Sequence, residues 1–541
     1  MLAIHSAGQK QDSGNMHKLV VFLVVGMLFL CGTRIAAAER PKPERAGPHA
    51  VARTEQKVAV VFTVRIIHNG KKPLQDAEIR MRLPVALPQQ NVDVLEIEGR
   101  PRRELDRWQA PVVVYRQAEL LPGHVLTGRW AAECRIRELQ WNLKGTVPIV
   151  APAKMGLSPL TSLSAEEKAL YLRDARKYAL KDPAIQAAAR EATAGRRDEV
   201  AKLEGIHDFV IGHVRYSRDG RWDAAPVVLA SGKGSCSEFT YVFVALCRAI
   251  GIPARYVGGI TGRPGKPLYV DLVYHRFAQA FVEGVGWVDF DPTRDRRTKS
   301  HRVYFGRTPG PILLLCVGDG GRGSLTGWDY RSLLLWKGKG EDEDDDSAKA
   351  PNYSPTAVVQ VGWWLPQPSA EIRRKVAAFR KSLAETPPGQ RHPLIAAALA
   401  IGHPYVLPWL DDLLYDPSTR VEAARAFLKI GGKDAFLAVV DNLCRQNDRE
   451  GDSQIGELLN AFTGEHFGGD RKKWKKWLNT HTPPAAIPGQ TSGERRREMN
   501  KRTLMSAEGW ADNASANQPA VISHSGRIEC GNARLVDRKA A

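Results

Sequence analysis

The stretch GSCSEFTYVFVALCRAIGIPAR, residues 234–255, carries two of the chain's seven cysteines, Cys236 and Cys247, eleven positions apart. Phe239, Val242, Phe243, Leu246 and Ile250 recur at i, i+3, i+4, i+7 and i+11, which predicts a helix with one buried stripe. Cys247 borders that stripe among apolar neighbours, the setting of a small core residue. Cys236 is placed differently. It follows Ser-Gly-Lys-Gly, where glycines reach backbone conformations closed to other residues, and it opens the helix. At a first helical turn the N–H groups and the positive end of the dipole favour a thiolate, and the same N–H groups can bind a developing oxyanion.

A thiolate of this kind needs a base, and the sequence offers one. His275 opens the strand pattern HRFAQAFVEG, and Gly284 to Gly286 turn the chain back into WVDFDPT, where Trp287, Asp289 and Asp291 share a face by the period of two. Such a hairpin brings its far ends together, so His275 and Asp291 are candidate neighbours for an imidazole–carboxylate bond. Register decides which aspartate takes that place, and Asp289 is the alternative.

Taken together these residues resemble the transglutaminase-like superfamily of Cys-His-Asp enzymes, whose core is papain-like. The resemblance rests on Gly234 two before Cys236, Glu238 and Phe239 just after it, and GIPAR at the helix end. It continues through His275, the Gly-x-Gly-Trp turn and Asp291-Pro-Thr, and YSRDGRWDAAPVVLASGKGSC is similar to the family's approach to the cysteine. Phe277 stands where a Trp is frequent and Gln279 where a Glu is frequent. The resemblance covers roughly residues 55 to 335 and implies Cys236 as nucleophile, His275 as general base and Asp291 as the orienting carboxylate. It implies a cysteine hydrolase, a protease or amidase, acting on peptide or glutamine-type amide bonds through a thioester. The alternatives are a cross-linking acyltransferase and a catalytically silent, peptide-binding scaffold. The backbone N–H of Cys236 and the indole N–H of Trp222 are the candidate oxyanion donors.

Outside this segment the chain changes character several times. Residues 57–143 read as short strands with turns at Asn69-Gly70 and Pro122-Gly123, a β-sandwich over 53–150. Ser164 and Glu167 form a capping-box pattern, and Val200, Leu203, Ile206, Val210 and Val214 keep helical spacing. Helices, the cysteine helix and then antiparallel strands make an α+β catalytic domain over 151–337, with GPILLLCVGDG and WDYRSLLLW as its closing strands. The glycine-rich GDGGRG, 318–323, lacks the lysine of a phosphate loop and reads as a hairpin turn. An acidic linker is expected at 338–365, and a helical domain resembling HEAT repeats at 366–480, with helix ends at Asp416-Pro417 and Gly431-Gly432. A disordered tail is expected over 481–541. The expected architecture is therefore multidomain.

The N-terminus carries an address: His17 and Lys18, an apolar run from Leu19 to Cys31, and small residues at Ala36 and Ala38. This is the layout of a cleavable signal peptide over 1–38, and the run is short for a membrane span, so the mature chain is expected in the periplasm or outside the cell. The net charge is +19, and losing Lys10, Lys18, Arg34 and Asp12 with the leader leaves +17. No nucleic-acid-binding motif accompanies that charge, so no nucleic-acid partner is expected. The cysteines at 31, 134, 236, 247, 316, 444 and 530 show no CxxC pair, so neither a metal nor another cofactor is expected. The expected partners are a protein or peptide substrate and a protein bound by the helical repeats.

Overall fold

The computed structural model describes residues 50–105, 110–143, 162–217, 222–262, 268–270, 275–318, 333–335, 356–443, 448–478, 480–481 and 483. The expected leader with Cys31, the acidic run 338–350, most of the glycine-rich turn, Cys444 and the tail from 484 with Cys530 lie outside these residues. In chain order the strands are β1 (Ala50–Ile67), β2 (Leu74–Arg82), β3 (Gln90–Ile97), β4 (Arg102–Leu105), β5 (Pro111–Leu120), β6 (Val125–Trp141), β7 (Arg215–Tyr216), β8 (Lys233–Gly234), β9 (Ala254–Thr261), β10 (Leu268–Val270), β11 (His275–Val282), β12 (Gly286–Phe290), β13 (Ile312–Gly318), β14 (Leu333–Leu335) and β15 (Thr356–Trp364). The helices are α1 (Ala165–Leu172), α2 (Pro183–Thr193), α3 (Glu199–His213), α4 (Ala225–Ser231), α5 (Cys236–Ala249), α6 (Pro292–Asp295), α7 (Ala370–Glu385), α8 (His392–Ile401), α9 (Leu407–Leu410), α10 (Arg420–Asn442), α11 (Arg449–Thr463) and α12 (Arg471–Leu478).

The N-terminal strands divide between two antiparallel sheets, ordered β10-β15-β1-β6-β3 and β14-β2-β5-β4. Val60, Phe62 and Val64 of β1 and Trp130 of β6 share a core with Ile79, Met81 and Val113 of the second sheet. The turns at Asn69-Gly70 and Pro122-Gly123 carry the chain from one sheet to the other, because β1 pairs with β6 and β2 with β5. The other parity of β1 is buried too, which explains its near-continuous apolar run: Ala59, Val61, Thr63, Arg65 and Ile67 are all closed off from solvent. C-terminal residues cover that face. Buried Arg65 meets Asp411 at 2.8 Å and Asp412 at 2.6 Å, and buried Arg129 meets Asp412 at 2.6 Å and Glu98 at 2.8 Å. Two closed-in guanidiniums are tolerable only with carboxylates at hand, so these pairs fix where the helices attach.

The third sheet, ordered β12-β11-β9-β13, is antiparallel, as expected of the α+β segment, with α5 on one face. Ala278, Ala280, Val288 and Phe290 turn toward α5, where Phe243 stacks on Phe290 at 5.2 Å. Val257, Phe277, Ile312 and Leu314 turn the other way and pack on Leu87 of the β2–β3 loop.

Three expectations need correction. WDYRSLLLW does not close the third sheet: its Leu333–Leu335 pairs with β2. Within the stretch read as linker, Thr356–Trp364 is a full strand paired along β1, since its apolar parity completes the larger sheet. Gly431-Gly432 ends no helix, for α10 runs unbroken from Arg420 to Asn442. A Cβ at Gly431 would stand 2.8 Å from Leu407 Cδ1, so this glycine serves close packing of α10 against α9.

Candidate active site

The chain reaches Cys236 through a tightly specified entry. Helix α4 ends at Gly232 in the left-handed region, φ +61°. A Cβ at Gly234 would lie 2.4 Å from Glu238 Cβ, so only glycine lets the strand close on the next helix. Ser235 then caps α5: its N–H donates to Glu238 Oε2 at 2.8 Å, its hydroxyl to the same oxygen at 2.5 Å, and the Ser237 N–H donates to Ser235 Oγ at 3.4 Å. Cys236 is the first residue of the helix and is 3% exposed. From Cys236 to Arg248 every residue of α5 is buried, so the single stripe predicted from periodicity is really a helix enclosed on all sides.

His275 opens β11, opposite Gly259 of β9. Its Nε2 stands 2.5 Å from Asp291 Oδ2, and the imidazole is hydrogen-bonded to Cys236 as well. With Nε2 given to the carboxylate, the nitrogen toward sulfur is Nδ1. Asp291 is fully buried and also caps α6, its Oδ1 accepting the Arg294 N–H at 3.0 Å. The choice between the two aspartates follows from where the strand stops. Asp289 lies inside β12 opposite Gln279, and its carboxylate accepts from Gln279 at 2.6 Å, Thr308 at 2.7 Å and Gln89 at 3.1 and 3.2 Å. Asp291 lies past the end of β12, where Pro292 starts a helix and the chain swings its carboxylate to the ring.

Electrostatics follow this geometry. Burial pushes the Cys236 thiol up, but the hydrogen bond from His275, the Arg276 cation, the charge on His275 and the backbone N–H of Arg276 together hold it below an ordinary thiol. Burial pulls His275 down, and the Asp291 charge and hydrogen bond with the bond to Cys236 raise it overall. Burial raises Asp291, and His275 and Arg294 outweigh it to leave the carboxyl low. Asp289 is pushed by burial up to about 6, although its three donors and the Arg255 charge pull the other way. Cys247 is buried and raised well above an ordinary thiol, as a core cysteine should be. Cys134 and Cys316 are buried as well.

Arg276 was not among the residues singled out from sequence. It is 4% exposed, and its guanidinium carbon stands 4.9 Å from the centre of the Trp222 ring. The alternation of HRFAQAFV contains the signal: Arg276 shares the parity of Ala278 and Ala280, the face that α5 covers. Trp222 itself is partly buried, holds φ +51°, and accepts the Lys177 ammonium on its carbonyl. Its ring thus lies beside the strand residue that touches the sulfur. Gln279 binds Arg255 at 2.7 Å as well as Asp289, so the departure at that position belongs to a polar cluster behind the sheet. Among the described residues no group of three or more His, Cys, Asp or Glu side chains is arranged to hold a metal. Nor is any described helix long and apolar enough to cross a membrane.

A low-lying thiol on a helix mouth, an imidazole beside it and a carboxylate fixing that imidazole can together perform nucleophilic attack and proton transfer. Comparison with known proteins gives a match to the family model of the transglutaminase-like superfamily over residues 186–292, which include Cys236, His275 and Asp291. No curated protein matches the sequence. Solved structures similar to the chain include one from Cytophaga hutchinsonii assigned as a cysteine protease, at 12% identity over 58% of this chain and 100% of that one, TM-score 0.37. Another is the periplasmic domain of TgpA from Pseudomonas aeruginosa, at 14% identity over 48% of this chain and 98% of that one, TM-score 0.25. Residues 186–292 are a transglutaminase-like domain, joined in this chain to an N-terminal strand-rich region and C-terminal helices.

Proposed function

We propose that the chain is a cysteine hydrolase of peptide or glutamine-type amide bonds. The observation that carries this reading is the contact series Cys236, His275, Asp291 at the mouth of α5. The Cys236 thiolate attacks the amide carbonyl, and the His275 imidazolium gives its proton to the departing amine as the C–N bond breaks, leaving a thioester. His275, now the base, takes a proton from water, whose oxygen displaces the sulfur and releases the acid. Asp291 keeps the ring in the working orientation throughout. The Cys236 N–H at the mouth of the helix is the first oxyanion donor, and the Trp222 indole the second.

The N-terminal pair of facing sheets reads as a β-sandwich, and the C-terminal helices as a HEAT-like docking surface for a protein partner. Export follows from the leader pattern, and a mature chain beginning at Glu39 in N-terminal sequencing would support it, while an intact Met1 would refute it. The reaction is tested by incubating the full chain with a glutamine-rich protein, with and without a primary amine. Glutamate in place of glutamine, or new peptide termini, in both incubations support hydrolysis, ammonia being released in either reaction. Amine incorporation in place of hydrolysis assigns acyl transfer, and no Cys236-dependent product of either kind assigns a silent scaffold.

A further inference from the structure

The site has one aspartate and one histidine too many. Behind it, His207 of α3 and Asp295 at the end of α6 form a second pair, Nε2 to Oδ2 at 2.9 Å, with both side chains fully closed off from solvent. Asp295 is already an acceptor elsewhere: the Tyr304 N–H reaches both its oxygens at 2.9 Å, and Thr298 Oγ1 donates to Oδ1 at 3.2 Å. A carboxylate with those partners leaves His207 Nε2 to donate. Nδ1 lies buried with no hydrogen-bond partner among the described residues, and the ring stands edge-on to Phe305 at 5.3 Å and Phe243 at 6.3 Å. This pair faces no substrate. It closes a ring of hydrogen bonds that ends on the site, for the Asp291 N–H donates to the Tyr304 carbonyl at 3.2 Å and the Asp295 N–H to the Asp291 carbonyl at 3.1 Å.

We infer that His207 and Asp295 are positioning residues, a buried clasp that holds the loop 291–304 so that Asp291 points its carboxylate at His275. The inference rests on the reading of Cys236, His275 and Asp291 as the reacting group. Asp291 lies beyond the last residue of β12, held by one bridge bond from its N–H to Tyr304 and by the Arg294 N–H of the short helix α6, so its direction depends on where the loop 291–304 is anchored. The Tyr304 amide and carbonyl link the two aspartates, and His207 ties that link to α3, a long helix capped by Asp198. An undistorted Asp291 keeps the imidazole proton-rich and the sulfur ionised. A slack clasp loosens both.

The test is the rate of iodoacetamide alkylation of Cys236 in the full chain near neutral pH, read by peptide mass mapping, which needs no substrate. His207→Phe keeps a ring and removes the donor, and is expected to slow alkylation about tenfold, the effect of one pKa unit on a thiolate. His207→Gln restores an N–H and recovers most of the rate. In an Asp291→Asn background His207→Phe has no further effect, because the clasp acts through that carboxylate. A wild-type rate in His207→Phe, a His207→Gln as slow as His207→Phe, or additive losses in the double variant would each overturn the inference. Should His207→Phe not fold, Asp295→Asn, of equal size, decides by the same rate; an Asp295→Asn chain that also cannot fold makes the pair a folding element and overturns it too. If the wild-type Cys236 reacts no faster than Cys134, the reading of the nucleophile fails first, which is a separate outcome.

Discussion

Cys236 and Cys247 stand at the two ends of α5, both buried, and burial drives both thiols upward. At Cys247 the charge of Glu199 adds to that rise, and Arg248 offsets only part of it. At Cys236 an imidazole, a guanidinium and a backbone N–H reverse it. Enclosure is therefore common to both, and the difference lies in what each sulfur touches. The lowering of the thiol at this helix comes from the strand laid across its mouth, β11, which supplies His275 and Arg276.

The same contrast recurs between Asp289 and Asp291, two residues apart and both fully buried. One is pushed by burial up to about 6 against its neutral donors and the Arg255 charge, and the other is held low by His275 and Arg294. Buried carboxylates with different neighbours take different work.

Substitutions that exchange these environments break the contrast in a graded way. Cys236→Ala removes the nucleophile and is expected to cost on the order of 10^6-fold in kcat, the scale at which loss of a covalent catalyst leaves only binding and oxyanion contacts. Turnover within about tenfold of wild type would place the chemistry elsewhere. Asp291→Asn keeps the shape but frees the imidazole, and a loss of roughly 10^4-fold in kcat is expected, against less than about tenfold for Asp289→Asn. Equal losses would mean that the two aspartates are not distinguished as the register implies.

Asp289 sharpens the comparison through pH. An acid whose folded pKa lies above its unfolded value contributes stability that is fully present below about 3.9 and lost as pH rises toward about 6. Relative to Asp289→Asn, wild-type unfolding free energy should therefore fall by about 3 kcal/mol between those limits. Parallel profiles in denaturant titrations would show that Asp289 does not titrate there. The smallest effect is expected at the quiet end of α5: Cys247→Ala should cost about 1 kcal/mol of stability and leave kcat within about twofold. A large loss of activity with unchanged stability would make Cys247 more than packing.

Much of the site was legible because its signals are local. The capping box at Ser235 and Glu238, the glycines before it, the histidine opening a strand and the Gly284–Gly286 turn are all written in short stretches, and the structure brings Cys236, His275 and Asp291 together as those stretches suggest. The choice of aspartate was not local. Asp289 is held away from the ring by Gln89, two hundred positions distant, as well as by Gln279 and Thr308. Strand membership failed for the same reason. Leu333–Leu335 and Thr356–Trp364 follow the catalytic segment in sequence but pair with β2 and β1, and nothing in a strand's own residues names its partner. Gly431 was misread because a glycine that ends a helix and a glycine that admits a neighbouring leucine look alike until the neighbour is known. Arg276 could have been found, since a lone arginine on the apolar parity of a strand asks for a partner.

Ionisation of Cys236 can be read directly from the ultraviolet absorbance of its thiolate, taken as the difference between wild type and Cys236→Ala across a pH titration, with His275→Ala titrated beside it. The absorbance should already be present near neutral pH, with a midpoint well below the ordinary thiol value of about 8.5, and should move upward when His275 is removed. A wild-type midpoint at or above about 8.5, or one indifferent to His275, would contradict the reading of this site as a thiolate–imidazolium pair.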